Sequence, residues 1–370
     1  MTVSDPPGPL PYERRAQVVD LLRRRGVVRV NDLAAELDVS VITIRRDIAL
    51  LASQGVIRRV RGGAVLHEPG VDDDAAPPDT GDRALSVGMV VPSLTYYWPD
   101  VIRGVRAAAG PSSARVVLRG ATYQADDERR QLAWLVESMA VDGLLVAPTT
   151  TGEEGEALVR WLRSAAVPVV LLERAATVGP YREAMESVVS DHTLGAAMAV
   201  RHLATLGHRR VGVVTCAESP TTPHVRRGWR QACEELGLAG APDADTVDHG
   251  HPSLPEALDE VLDACLASGT TALLIHSDRE AIALVERCQA RGLRVPGDLS
   301  VVAYDDEVAE LCDPPLTAVR PPKDSVGRAA FELLAARLAD RDRQRAAHRV
   351  VIAPRLIVRT SSSVPPARSG

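Results

Sequence analysis

Between residues 85 and 304, short β-branched-rich apolar runs alternate with stretches of helical character, and this alternation restricts the chain more than any other feature. The runs lie at 85–91, 115–118, 143–147, 167–172, 211–215, 272–276 and 299–304, and most are separated by helical segments such as 126–139, 193–206 and 279–291. Repeated strand–helix units build a parallel sheet with helices on both faces. The span is long for one such sheet, so two α/β halves are expected, with functional loops at the carboxyl ends of the strands.

Ahead of this region the pattern is different. Residues 68–83, EPGVDDDAAPPDTGDR, have almost no apolar content and read as an extended linker. The expected organisation is a small domain at 1–66, an acidic Pro-rich linker at 67–84, a large α/β domain at 85–360 and a disordered tail at 361–370. The formal net charge of −6 argues against a DNA partner until the chain is divided. Residues 1–66 carry eleven arginines against seven acidic residues, a net of +4, which leaves −10 for the remainder. Arginine counts alone say little, because Lys323 is the single lysine among the 43 basic residues.

The basic charge falls on SVITIRRDIALLASQGVIRRVRGG, residues 40–63. Ser40 can cap a helix that runs until Gly55. At the helical period Ile44, Ile48 and Leu51 share one side, Ile42, Arg46 and Ala49 the other, with Thr43 and Arg45 on the flanks. A bare face with Thr and paired Arg suits the major groove, where a guanidinium bridges guanine O6 and N7. The following stretch, 56–65, alternates apolar and basic residues around Gly62-Gly63 and predicts a hairpin carrying Arg58, Arg59 and Arg61 to the phosphates. A helix at Pro11–Arg25 and a second at 32–37, capped by Asn31, complete a three-helix core.

From Arg14 through LLRRRGVVRVNDLAAELDVSVITIRRDIALLASQGVIRRVRGGAV, the chain resembles the winged helix-turn-helix of the deoxyribonucleoside-repressor (DeoR) family. The resemblance implies that Ser40, Thr43, Arg45 and Arg46 lie at the DNA and that Arg58, Arg59 and Arg61 grip its backbone. The larger part is similar to the effector domain of the lactose/galactose-repressor (LacI) family, itself related to periplasmic sugar-binding proteins. The matching pieces, in order, include VGMVVPSLTYYWPDVIRGVRAAA, DDERRQLAWLVESMAVDGLLVAP, SVVSDHTLGAAMAVRHLATLGHRRVGVV and SDREAIALVERCQARGLRVPGDLSVVAYDD.

That likeness implies a type I periplasmic-binding-protein-like α/β fold of two subdomains, roughly 85–187 with 322–339 and 188–317, joined by crossing strands and clamping a ligand. Polyols need bidentate Asp, Glu, Asn and Arg groups and an aromatic face. The loop after the first strand offers Tyr96, Tyr97 and Trp98; other strand ends offer Glu173 and Arg174, Ser277 and Asp278, Asp305 and Asp306. Asp305 matches the family's ligand carboxylate, and Ser277 a polar contact. For Glu173 and Asp278 a loop cap is as good a reading as ligand contact.

Three departures from the families stand out. The ligand arginine of the LacI pattern falls on Val225 here, with Arg226 one step later in HVRRGW as the candidate ligand contact in its place. The LacI reader uses a hinge helix that residues 68–83 do not suggest, and the DeoR family ordinarily carries a sensor of another fold. His192, His202 and His208 lack the spacing of a metal site, and His249 and His251 either line the cleft or sit in a loop. Five cysteines, an odd number without a CxxC pair, point to a reducing compartment. No cofactor or metal is expected, nor a membrane partner, because no run approaches a membrane span and the N-terminus has no signal-peptide pattern.

The expectation is a cytoplasmic, dimeric transcription regulator, a repressor, whose hold on a double-stranded operator responds to a small polar effector, a sugar first. Two alternatives stand beside it. In one the large domain only dimerises or binds a protein; in the other it is an enzyme with Asp305 and Glu173 as acid and base.

Overall fold

The computed structural model describes residues 11–37, 39–53, 57–60, 63–66, 84–121, 125–340, 342 and 345–366. In chain order the elements of the N-terminal part are α1 (Pro11–Arg25), β1 (Val27–Arg29), α2 (Val30–Glu36), α3 (Val41–Ser53), β2 (Ile57–Val60) and β3 (Gly63–Leu66). Then follow β4 (Ser86–Val91), α4 (Trp98–Ala109), β5 (Arg115–Gly120), α5 (Ala125–Glu137), β6 (Gly143–Val146), α6 (Gly152–Arg163), β7 (Val169–Leu172), the two-residue β8 (Thr177–Val178) and β9 (Glu183–Ala184), and β10 (Ser187–Ser190). The rest comprises α7 (His192–Thr205), β11 (Val211–Cys216), α8 (Thr222–Glu235), β12 (Asp243–Thr246), α9 (Leu254–Ser268), β13 (Ala272–His276), α10 (Asp278–Ala290), β14 (Ser300–Tyr304), β15 (Thr317–Arg320), α11 (Lys323–Ala339), β16 (Arg349–Ile352) and β17 (Arg355–Ile357).

The expected three-helix core and hairpin are present. Val18, Val19 and Leu22 of α1 and Ile44, Ile48 and Leu51 of α3 are buried, each apolar side chain contributing about 1.5–3 kcal/mol relative to exposure. The hairpin pairs Ile57 with Leu66 and Val60 with Gly63, and β3 also pairs antiparallel with β1, closing a three-stranded sheet. That pairing corrects the start of α2. The helix leaves β1 directly at Val30, with Arg29 in the extended cap position and no side-chain cap, so Asn31 lies exposed inside the first turn. Gly55, Arg61, residues 67–83 and the end of the tail, 367–370, lie outside the described residues.

The chain divides into two compact units, 1–189 with 323–350 and 190–322 with 351–370. It therefore passes from one to the other three times, as the expected crossings require. In the first unit a six-stranded sheet has the order β16-β10-β7-β6-β4-β5, in which β10, β7, β6, β4 and β5 run parallel to one another. In the second the order is β12-β11-β13-β14-β15-β17, parallel apart from β17, which runs antiparallel to β15. One face of this second sheet packs Val211, Val213, Ala272, Leu274, Val302 and Val319 under α7 and α8; the other packs Val214, Leu273, Ile275 and Val301 under α9 and α10. The alternation follows from the period of two along each strand.

Two helix crossings depend on glycine. A Cβ at Gly104 of α4 would run into the carbonyl oxygen of Asp324 on α11, and one at Gly327 into that of Val101. In the second unit Gly228 of α8 meets the carbonyl of Thr193 in the same way. The tail expectation is corrected at its start. Ser361 is fully buried, its hydroxyl donates to the Val301 carbonyl at 2.6 Å and accepts from the Thr317 amide at 2.8 Å, so the chain is anchored beyond residue 360.

Candidate functional site

On α3 the Ser40 hydroxyl accepts from the Thr43 amide at 3.2 Å and lies 2.8 Å from the Thr43 hydroxyl, as an N-cap should. Arg45 and Arg46 are exposed, Arg46 opposite the buried Ile44, Ile48 and Leu51 and Arg45 on the flank. Asp47, between the two sets, is buried and holds Arg14 of α1 in an ion pair at 2.6 Å, with Arg15 4.0 Å away. Burial lowers the Arg15 pKa despite the Asp47 charge beside it. On the wing, Arg58 and Arg59 occupy β2 opposite Val65 and Ala64.

In the first unit the strand-end residues come together in part. The Tyr97 hydroxyl donates to Glu173 Oε1 at 2.6 Å, and Lys323 Nζ lies 5.4 Å from the Tyr97 ring centre. Tyr97 (φ 64°) and Glu173 (φ 51°) both adopt left-handed backbone that side chains with a Cβ disfavour. Arg174 donates to the Glu173 carbonyl at 2.7 Å. The Tyr96 carbonyl accepts from the Trp98 amide, and Trp98 itself is a buried residue at the start of α4, edge-on to Tyr97 at 5.5 Å. Its expected place in an open loop is thereby corrected: the first turn of the amphipathic α4 turns the indole inward.

Glu128 of α5, not singled out from sequence, is buried and accepts from both the amide (2.8 Å) and the hydroxyl (3.1 Å) of Thr149 in the loop after β6. Burial raises its pKa, and these hydrogen bonds and Arg174 work the other way.

In the second unit the carboxyl edge is acidic. Asp305 is buried at the end of β14 with φ 95°, and His276 Nε2 faces its Oδ2 at 3.9 Å. Asp278 is wholly buried and accepts from the amides of Asp306 (3.2 Å), Glu307 (2.6 Å) and Val308 (3.0 Å), so it pins the loop after β14. Burial first, then the Asp305 charge, pushes its pKa up to about 8. Asp306 is tied to Arg320 at 2.6 Å and Arg359 at 2.8 Å. The Ser277 amide and hydroxyl both donate to Glu280, at 2.8 and 2.7 Å, which makes Ser277 the cap of α10.

Arg226 lies elsewhere. Its guanidinium is 2.7 Å from Asp243 and 3.0 Å from Asp245 of β12, while Val225, also on α8, is buried in the core between that helix and the sheet. One residue is about 100° of helix rotation, so the step from Val225 to Arg226 redirects the side chain to the sheet edge.

The histidines have separate duties. His192 Nδ1 lies 3.2 Å from the Tyr304 hydroxyl, His202 bonds Ser362, and His208 joins Thr271 to the Ser363 carbonyl. The His249 amide donates to Glu280, and His251 bonds Ser253. Among the described residues no three His, Cys, Asp or Glu side chains gather as a metal ion would require, and no helix is long and apolar enough to cross a membrane.

Residues 14–69 match the DeoR-like helix-turn-helix domain and residues 200–362 the periplasmic binding protein-like domain. An HTH-type transcriptional regulator from the aml 5′ region of Streptomyces limosus is 31% identical over 356 residues, 91% of this chain and 95% of that protein. The HTH-type transcriptional regulator DegA of Bacillus subtilis (strain 168) is 25% identical over 90% of this chain and 98% of its own length. A LacI family transcriptional regulator from Mycobacterium smegmatis superposes with a TM-score of 0.61 at 27% identity, over 75% of this chain and 99% of that one. A ribose-bound LacI family regulator from Enterococcus faecium shares the fold at 20% identity, with a TM-score of 0.61 over 75% of this chain and 99% of that one. The chain belongs to the HTH-type transcriptional regulators, a DeoR-type winged helix-turn-helix joined to a LacI-family periplasmic-binding-protein-like domain, and its work is binding DNA rather than catalysis.

Proposed function

We propose that this regulator is a cytoplasmic, homodimeric repressor whose affinity for its operator is set by a small polar metabolite, a sugar first. Thr43, Arg45 and Arg46 read bases, and Arg58, Arg59 and Arg61 hold phosphates. Tyr97, Glu173 and Arg174 of the first unit and Asp305 of the second bind the effector; Tyr96 adds a further contact. One observation carries the effector reading. Glu173 and Asp305 are both buried carboxylates at the carboxyl ends of parallel strands, and both hold a left-handed backbone, a conformation that costs stability and clusters at functional sites.

The test has two arms. Genome-wide footprinting of bound DNA identifies the operator; then D-ribose, the sugar seen in the E. faecium neighbour, and a panel of aldoses and polyols are screened by thermal shift and operator titration. A compound that stabilises the protein and alters operator affinity, with both effects lost in Asp305→Asn, supports the reading. Stabilisation by none of them favours the second reading, a large domain that only dimerises, to which the ion pairing of Arg226 with Asp243 and Asp245 lends support.

A further inference from the structure

Thr215 and His276 are partners in register on the adjacent parallel strands β11 and β13. Val211 and Val213, and Ala272 and Leu274, pack under α7 and α8, so by alternation Thr215 and His276 continue that face to its carboxyl end. Tyr304 on β14 is next in the row, its ring edge-on to the His276 ring at 5.5 Å. The Tyr304 hydroxyl is taken up by His192, donating to its carbonyl at 3.1 Å and lying 3.2 Å from its Nδ1.

Thr215 is 0% exposed and His276 6%, yet Thr215 Oγ1 and His276 Nδ1 have no hydrogen-bond partner among the described residues. Buried polar atoms are nearly always paired, and two unpaired ones side by side at the end of a parallel sheet mark a place where a polar group from outside belongs. We propose that Thr215 and His276 form a subsite of the second unit that takes one hydrogen-bond donor of the effector, a hydroxyl or an amine. This rests on the reading that the large domain binds a small polar effector.

The kind of group follows from Asp305. His276 Nε2 faces that carboxylate, which favours the ring hydrogen on Nε2 and leaves Nδ1 as an acceptor. A hydroxyl can donate to Nδ1 and accept from the Thr215 hydroxyl, and an amine can donate to both. An ether oxygen or a carboxylate can accept from the Thr215 hydroxyl but has no hydrogen to donate to Nδ1. A sugar lacking the hydroxyl at that position therefore loses a contact that its parent makes.

Two measurements on the full-length protein decide the matter, with Thr215→Val as the shape-conserving probe and Thr215→Ser as the variant that restores the hydroxyl. Without added ligand, Thr215→Val is expected to unfold at the wild-type temperature or above, because it removes an unpaired buried hydroxyl. A fall of about 3 °C or more overturns the proposal, since the hydroxyl would then already be bonded within the fold, for instance to a retained water. The second arm uses D-ribose, D-galactose, D-glucosamine and myo-inositol. For any probe that stabilises the wild type, Thr215→Val and His276→Leu are expected to weaken binding about tenfold or more, with Thr215→Ser close to wild type. Equal binding by the wild type and Thr215→Val sinks the subsite. If no probe stabilises the wild type, the sugar reading is what fails, and the unfolding temperature of Thr215→Val still decides whether the hydroxyl stands unpaired.

Discussion

Asp47 interrupts the basic run of the recognition helix, yet its carboxylate turns inward to Arg14 and anchors α3 on α1. Removing one member of a buried ion pair leaves the other charge under-compensated, so Asp47→Ala is expected to lower stability of the small domain by up to about 3–5 kcal/mol, read as a lower unfolding midpoint in urea. Its effect on DNA binding should be the same for every sequence. Arg46→Ala is the contrasting case: with the exposed guanidinium gone, discrimination should fall by about 1–3 kcal/mol at a single base pair. Arg59→Ala should weaken all sequences alike and flatten the salt dependence by about one unit of slope. Gel-shift titrations on point-substituted operators at two salt concentrations separate the three, and unchanged discrimination by the Arg46 variant would remove it from the reading face. At this scale the sequence was legible where side-chain period and chain topology agree, as for Ile44, Ile48 and Leu51 inside and Glu173 and Asp305 at strand ends. It misled where one step of helix rotation decides, as for Arg226, and where a helix begins inside an expected loop, as for Trp98, and it was silent on Thr215 and His276, because a polar residue closing an apolar strand has no pattern of its own.

The elements that sequence periodicity found are mostly central strands whose apolar runs are buried on both faces, with the edge strand β5 the exception. Those it missed are edge or crossing pieces: β12 is DADT, with no apolar alternation, β10 and β15 are short strands next to crossings, and β16 and β17 are split by Ala353-Pro354. Their pairing is decided by neighbours rather than by local pattern. Helix contacts set a second constraint. At Gly104 and Gly228 an added methyl would meet a backbone carbonyl that cannot swing aside, so Gly104→Ala in the first unit and Gly228→Ala in the second should each cost about 1–3 kcal/mol or more through separation of the crossing helices. Chemical denaturation of each variant provides the check, and a neutral result at either would mean that the helices part without loss. The segment beyond β17 is held by a different device, with His208 between Thr271 and Ser363 and His202 on Ser362. Burial lowers the pKa of both imidazoles, so the unfolded chain takes up their protons first as pH falls. The stability they contribute is present above their ordinary value of 6.5 and declines below it. Thermal unfolding followed from pH 7.5 to about 5.5 should fall more steeply for the wild type than for His208→Gln.

For the molecule as a whole, the division of charge bears on how a ligand could govern DNA binding. The N-terminal 66 residues carry a net of +4 and the remainder −10, so attraction to DNA resides in one part and the rest contributes repulsion that salt screens. Neither charge changes when a neutral sugar binds. Control must then come from a difference in how well the effector is held by the DNA-bound and free forms of the proposed homodimer. Linkage makes that difference measurable from either side: a ligand that changes operator affinity by some factor must have its own affinity changed by the same factor when operator is present. A coupling of about 1–3 kcal/mol corresponds to roughly 5- to 150-fold. Titrating the effector by calorimetry with and without saturating operator should therefore give dissociation constants whose ratio matches the shift seen in operator titrations with and without effector. An Asp305→Asn protein should lose both shifts together. An effector that binds with the same affinity on and off DNA, however tightly, would leave occupancy of the operator untouched, and regulation would then have to reach the small domain through something other than this ligand.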